Sequence, residues 1–290
     1  EWLRAWRGRS LGCSVRTALA DLDRDQAGAP AARFAAESAL GDLAAQVAGV
    51  PLAWWLDPGM DRSAPLSAPV NAVLGALADL TPGDLAASAA EGYRVFKVKV
   101  GLDGLEADLL RLADLARHLP TGGQFRLDAN GAWTLPEAVR GVAALNALPV
   151  EALEEPLRDP TPEHLRQLQA EAGFPLALDE SLTRGGFWPT AAVAEVQRLV
   201  LKPAVLGGLR RTLALARAAE AAGRELVVTS LVESAAGLWP TAHLAAAIAS
   251  PIPQGLATAG WLAEDLGKAP WPRAGRIAIP NVPGSGFRPG

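Results

Sequence analysis

Cysteine, methionine and tyrosine each occur once in this 290-residue chain, and histidine only three times. A lone Cys13 rules out an intrachain disulfide and leaves no basis for a cysteine-built zinc site. It is compatible with a reducing compartment, so a cytoplasmic location is the expectation; Cys13 itself reads as an inert packing residue. His118, His164 and His243 all fall in helix-like stretches and read as surface or packing residues. An excess of basic charge is also missing. The formal net charge is −4 and the pI is near 5.5, with no cationic stripe, which argues against nucleic acid or an anionic membrane as partner. No run of about 18 apolar residues is free of charges and helix breakers, so no membrane span is expected. The opening Glu1-Trp2-Leu3-Arg4 has no basic region followed by an apolar stretch, so no signal peptide is expected.

What is present is apolar bulk. Half of the residues are hydrophobic and a fifth are charged, enough to bury a sizeable core. The first 66 residues read as helical; Ala31–Val50 has helical apolar spacing and ends at Pro51, and Pro58-Gly59 and Pro65 mark a turn-rich connection. The texture then changes to short apolar runs alternating with longer amphipathic ones. The short runs are Ala68–Leu74, Val95–Val100, Phe125–Asn130, Val150–Glu155, Pro175–Glu180, Arg198–Pro203, Glu225–Ser230 and a weaker Pro253–Ala257. From the second onward they start at 95, 125, 150, 175, 198, 225 and 253, a spacing of 23 to 30 residues. Between them lie leucine- and alanine-rich stretches such as Glu106–His118, Pro136–Leu148, Pro162–Ala172 and Gly208–Ala222.

Strand and helix repeated at this interval indicate parallel βαβ units. Eight such strands close a barrel of the (β/α) TIM type, whose usual length this chain matches. An open doubly wound sheet would carry a glycine-rich phosphate loop after its first strand, and Leu74-Gly75-Ala76-Leu77 is not one. Gly207-Gly208 reads as a helix-start turn. The expected organisation is a capping segment over 1–66, a barrel over 67–262, and a tail over 263–290 that packs back on the N-terminal segment.

Barrel chemistry sits at the C-terminal ends of the strands, and inward residues alternate with period two. In Val95-Phe96-Lys97-Val98-Lys99-Val100 the two lysines share one face. Helices cover the outside of a barrel, so the apolar residues belong there and the lysines point inward, where they need anions. The next three strands end in Asp128, Glu154-Glu155 and Asp179-Glu180. One acid alone would be read as a helix cap or a lysine's partner. Three in phase on consecutive strands repel one another unless they share a cation. Oxygen donors without histidine or cysteine select a hard ion, Mg²⁺ before Mn²⁺. Glu154 and Asp179 are taken as ligands with Asp128; Glu155 and Glu180, on the opposite face, are assigned to surrounding groups. Lys202, ending the sixth strand, faces Lys99 across the ring. Two amines and a metal suit removal of a proton from carbon next to a carboxylate, the arrangement known for Lys-based enolase-type sites.

The motifs Lys97-x-Lys99, Asp128-x-Asn130, Glu154-Glu155-Pro156, Asp179-Glu180-Ser181 and Lys202-Pro203 resemble the muconate-lactonizing branch of the enolase superfamily. Within it, Arg126–Trp133, Leu178–Leu182 and Thr229–Leu238 are most similar to the o-succinylbenzoate synthase family. The resemblance covers roughly residues 30 to 260. It implies a modified barrel with an α+β cap and Mg²⁺-assisted syn elimination of water from a small-molecule carboxylate, on the path to menaquinone. Lys99 would take and return the proton, Lys202 would stabilise the enolate, and Lys97 would orient Lys99. Arg126, Asn130 and Ser230 would line the pocket. Glu1–Asp21 has no clear counterpart to the strand meander with which these proteins begin.

The same resemblance carries rivals. N-succinylamino acid racemases need both lysines, and both are here. Dipeptide epimerases place acids on the eighth strand, whereas Gly255–Gly260 has none; mandelate-type members use a histidine where Lys202 stands. A barrel that merely binds would be expected to have lost one of Asp128, Glu154, Asp179, Lys99 or Lys202, and none is lost. A phosphate-binding barrel would need more than Gly207-Gly208. Trp54, Trp55, Trp261 and Trp271 read as core or domain-interface residues.

Overall fold

The computed structural model describes residues 1, 2, 4, 15–24, 28–183 and 195–290. Cys13 lies outside them. Among the described residues, the helices Val15–Arg24, Pro30–Val47 and Leu52–Leu56 precede the first strand. No described helix is long and apolar enough to cross a membrane.

Beyond them, a simple local grammar starts many of the helices. Thr81, Thr134 and Thr161 stand just before Pro82–Ala90, Leu135–Leu145 and Pro162–Glu171, each with a proline in the first two helical positions. Thr81 and Asp84, and Thr134 and Glu137, form reciprocal capping boxes, while the Thr161 hydroxyl accepts from the His164 amide at 3.1 Å. Proline lacks the N–H that would be orphaned there, and the threonine and the acid satisfy the others.

The strands β2 (Ala72–Ala76), β3 (Val95–Lys99), β4 (Gln124–Asp128), β5 (Val150–Glu154), β6 (Leu176–Leu178), β7 (Arg198–Leu201) and β8 (Glu225–Val228) form one parallel sheet in sequence order. Phe96, Val98, Phe125, Leu127 and Leu153 are fully buried; in phase they alternate with Lys97, Arg126 and Glu154, so they pack outward under the helices. The ring is closed by two residues. Gln254 bridges to Val70 and Gly255 to Thr229, with Gln254 N donating to Pro69 O at 2.8 Å and Asn71 N to Gln254 O at 3.0 Å. The fold is thus an α/β modified (β/α) barrel with a helical N-terminal layer. Its weak eighth run is a strand reduced to two residues.

The first run departs from expectation. Rather than one strand over Ala68–Leu74, the chain splits into β1 (Ser67–Pro69), outside the barrel, and β2 within it. β1 pairs antiparallel with β9 (Arg276–Ala278) in the tail. Proline has no N–H for a ladder, so the chain changes sheet at Pro69-Val70-Asn71. Gly75, at φ +82°, accompanies a register shift between Val73 and Ala76. Gly207 and Gly208 do form a turn between the helices Pro203–Leu206 and Leu209–Ala221.

The tail also reaches the N-terminal layer. Gly284 N donates to Val50 O at 3.0 Å, and Leu52 N to Gly284 O at 2.8 Å. His243, completely buried, joins three segments. Its Nδ1 accepts from the Ala53 amide at 3.1 Å, so Nε2 carries the proton and donates to Ser285 O at 3.0 Å. Burial holds this neutral imidazole down at about 4, against 6.5 ordinarily. Its contribution to stability is therefore complete above about pH 6.5 and is lost progressively as pH falls toward 4, by about 3 kcal/mol in all. Urea titrations at pH 7 and pH 5 should show this fall in the parent chain and a smaller one in H243Q. Equal falls in both would remove His243 from the account.

Candidate active site

Of the charged residues singled out as catalytic or metal-binding, all but Lys97, which sits mid-strand in β3, lie at the C-terminal end of their strands. Lys99, Asp128 and Glu154 are the last residues of β3, β4 and β5, and Asp179 and Lys202 directly follow β6 and β7. Lys99 pairs in register with Asp128, and Asp128 with Glu154, so these side chains rise side by side from adjacent strands. Counting the two-residue closure as an eighth strand, β3 and β7 are four steps apart in either direction. Lys99 and Lys202 therefore stand on opposite sides of the mouth.

The lysines are not equivalent. Lys97 is inserted between two acids, 3.0 Å from Asp128 Oδ2 and in direct contact with Glu154. Burial works against its charge, but Glu154, Asp128 and Asp179 more than offset that and hold its pKa above the usual lysine value. Lys202 Nζ lies 2.5 Å from Asp179 Oδ2 and 3.7 Å from Glu180 Oε1. Lys99 is exposed and its amine meets no ion-pair partner among the described residues. It is the free amine of the site.

Asp179 is pushed up to about 7, first by burial and then by Glu180 and Glu154, with Lys202 opposing. This carboxylate lacks positive charge even with Lys202 beside it. Among the described residues no three acidic, histidine or cysteine side chains already converge as a metal site. The reason is visible in the ion pairs: one ammonium separates Asp128 from Glu154 and another engages Asp179. Lys97, whose field comes from all three carboxylates, stands in for the cation they would share. The donor set is all oxygen and three carboxylates deep, so the residues fit a hard divalent ion that displaces the ammonium groups.

Two strained residues hold the candidate metal-binding carboxylates in place. Asn130 and Glu155 have φ of +44° and +43°, unfavourable by about 1–3 kcal/mol each for side chains with a Cβ. The Glu155 carboxylate accepts from Asp179 N at 2.6 Å, Ser181 N at 2.9 Å and Ser181 Oγ at 2.6 Å. It grips the backbone of Asp179 and both the backbone and hydroxyl of Ser181. Asn130 N donates to Asp128 Oδ1 at 3.1 Å, and its amide group reaches Glu180 Oε1 at 3.5 Å. Replacing Glu155 by alanine would leave three buried donors unpaired. We expect E155A to lose at least about 2 kcal/mol of stability, measured by urea unfolding; a loss under half that would mean the loop holds itself.

Arg126 does not line the mouth. It is fully buried, with Nε on Glu151 Oε2 at 2.8 Å and Nη1 on Asn71 Oδ1 at 3.0 Å and Pro253 O at 2.8 Å. The register slips where Phe125↔Val150 is followed by Arg126↔Ala152, so Glu151 is the extra residue of a bulge. Freed from the ladder, it pairs with both Arg126 and Arg198, and Arg198 pairs with Glu225. These groups form a polar floor beneath the site. Ser230 is nearly buried, its hydroxyl 2.6 Å from Thr258 Oγ1.

A fourth carboxylate was passed over in the sequence. Glu233 follows β8, accepts from Leu231 N at 2.9 Å, and leaves its buried Oε1 without a partner. Burial raises its pKa, against hydrogen bonds from its own loop and the charge of Lys202. The criterion that found the others, an acid at the very end of an apolar strand, misses it, because β8 ends at Val228 and Glu233 lies farther along the following loop.

Residues 83–289 match the family described as enolase C-terminal domain-like. The chain belongs to the enolase superfamily. It is 35% identical over 202 residues to an o-succinylbenzoate synthase of Thermobifida fusca (strain YX), covering 68% of this chain and 62% of that protein. It is 28% identical over 251 residues to an L-Ala-D/L-Glu epimerase of Bacillus subtilis (strain 168), covering 82% and 65%. Thus the chain spans less than two thirds of the length of these relatives. A muconate cycloisomerase structure from Pseudomonas fluorescens superposes with a TM-score of 0.83 at 25% identity, covering 95% of this chain and 77% of that one.

Proposed function

We propose that this superfamily member is a Mg²⁺-dependent o-succinylbenzoate synthase that removes water from 2-succinyl-6-hydroxy-2,4-cyclohexadiene-1-carboxylate. The observation that carries the reading is the pair of opposed lysines, one free and one paired, above three strand-end carboxylates. Asp128, Glu154 and Asp179 would hold the ion. When bound, it supplies positive charge where the substrate carboxylate gains electron density.

The residues divide the remaining work. Lys99, as the free amine, takes the proton from the carbon bearing the carboxylate; the C–H electron pair passes into an enolate. Lys202 approaches from the other face and stabilises that charge. The enolate electrons then form the ring double bond, the neighbouring C–O bond breaks, and the ammonium of Lys99 gives its proton to the departing hydroxide. Base and acid are one group on one face, so elimination is syn and yields 2-succinylbenzoate and water. Lys97, held between Asp128 and Glu154, adds charge behind Lys99 and orients it. Asn130 and Ser230, at strand ends around the mouth, contact the substrate.

The epimerase relative favours a second reading, exchange of a proton at one carbon between Lys99 and Lys202. Gln254–Gly260 carries no acid to receive a dipeptide's ammonium group, which favours the synthase. The deciding assay offers the cyclohexadiene substrate, N-succinyl amino acids and L-Ala-L-Glu separately, each with and without EDTA. The synthase reading expects aromatisation of the first, lost with EDTA and restored by Mg²⁺. Turnover of only the amino-acid substrates would overturn it.

A further inference from the structure

A regular eight-fold (β/α) barrel covers the outside of its closing strands with an eighth helix. Here the chain leaves Gly255 through a short 3₁₀ turn, Ala259–Trp261, and reaches β9 without another helix. The gap is a cleft of about 670 Å³ outside the barrel, between β2, the end of the helix Pro82–Ala90 and the segment 257–274. That volume lies within the range of small-molecule sites.

The cleft has the chemistry of a site. Trp261 and Trp271 line it and are 54% and 60% exposed, contrary to their reading as core or interface residues, whereas Trp54 and Trp55 do pack on the core. Gly260 lets Trp271 lie close: a Cβ there would be 3.2 Å from its ring. Tyr93, the chain's only tyrosine, is 94% buried (6% exposed) and lines the cleft, yet its hydroxyl meets no hydrogen-bond partner among the described residues. The Arg273 guanidinium, also lining it, meets none either.

The frame that presents Arg273 is fixed. Arg273 N donates to Arg276 O at 2.7 Å, Arg276 N returns to Arg273 O at 3.0 Å, and Gly275 N donates to Glu91 O at 3.1 Å. Between them Ala274 is held at φ +49°, unfavourable for alanine. Gly92 packs so tightly on it that a Cβ would sit 2.6 Å from the Ala274 carbonyl carbon. A strained turn locked in place presents Arg273 to the cleft that the largely buried Tyr93 and the exposed Trp261 and Trp271 also line.

The geometry points to a second binding site in this cleft for a flat aromatic carboxylate, its ring against Trp261 and Trp271 and its carboxylate on Arg273 and Tyr93. The indole faces supply stacking area, and the guanidinium and phenol supply two donors to one anionic group. Burial, with Glu91 adding to it, pushes the phenol up to about 12, so it remains a donor. The site is separate from the strand-end lysines and does not depend on which reaction they perform.

The probe is 2-naphthoate, titrated calorimetrically into the full chain, with the neutral 2-naphthamide as control. Saturable binding of the acid, at least tenfold tighter than of the amide, is expected. R273Q and W271A should each weaken it at least tenfold, and Y93F about fivefold, the worth of one hydrogen bond. K99A should leave it unchanged. Absence of saturable binding, equal binding of acid and amide, indifference to R273Q and W271A, or loss in K99A would each overturn the site.

Discussion

K99A is expected to lower turnover by roughly 10²- to 10⁴-fold, the usual contribution of a positioned proton-transfer group, while leaving Mg²⁺ affinity intact. The two readouts separate because Lys99 carries no ion pair with the acids, whereas Lys97 touches Asp128 and Glu154. K97A should behave differently: removing the ammonium that stands between two carboxylates should alter metal binding as well as rate. Single-turnover rates with saturating Mg²⁺, alongside calorimetric metal titration, test both. A K99A protein turning over within threefold of the parent would mean that the base has been misassigned.

D179N is expected to weaken Mg²⁺ binding at least tenfold, a change of about 1.4 kcal/mol. Asparagine keeps the shape and one oxygen donor but removes the charge. Of the three proposed ligands Asp179 is the one most in need of a cation, since burial and two neighbouring acids already raise its pKa to about 7. It is also the one whose place is set from outside its own strand, by Glu155 accepting its backbone N–H. Calorimetry with Mg²⁺ and Mn²⁺ reads the loss directly. Unchanged affinity would remove Asp179 from the ligand set and with it the three-carboxylate account.

The sequence made the strand ends legible because period-two alternation and one acid per strand are local facts. Lys97, Lys99, Asp128, Glu154, Asp179 and Lys202 could each be placed from their own few neighbours. Arg126 could not. It has the same inward phase as Asp128, and only the bulge that frees Glu151 one strand away decides that its charge is spent in the floor. Trp261 and Trp271 were misread for a similar reason: exposure depends on whether a helix follows the eighth strand, and none does. The helix starts after Thr134 and Thr161 were read to within one residue, from Pro136 and Pro162, whereas the helix after Thr81 was not read, although its capping box is written within four positions. The split of the first strand turns on one missing N–H, that of Pro69, and on a partner two hundred residues away, which periodicity cannot supply.

The two-residue closure has its own bearing on where the strand-end carboxylates sit. The shortest joint of the hoop is Gln254-Gly255, between Thr229 and Val70. Going around from that joint, β5 is the strand farthest away in both directions, and Glu154 ends it. The seam therefore lies across the ring from Glu154, and the ladder between β4 and β5 holds Asp128 and Glu154 directly in register.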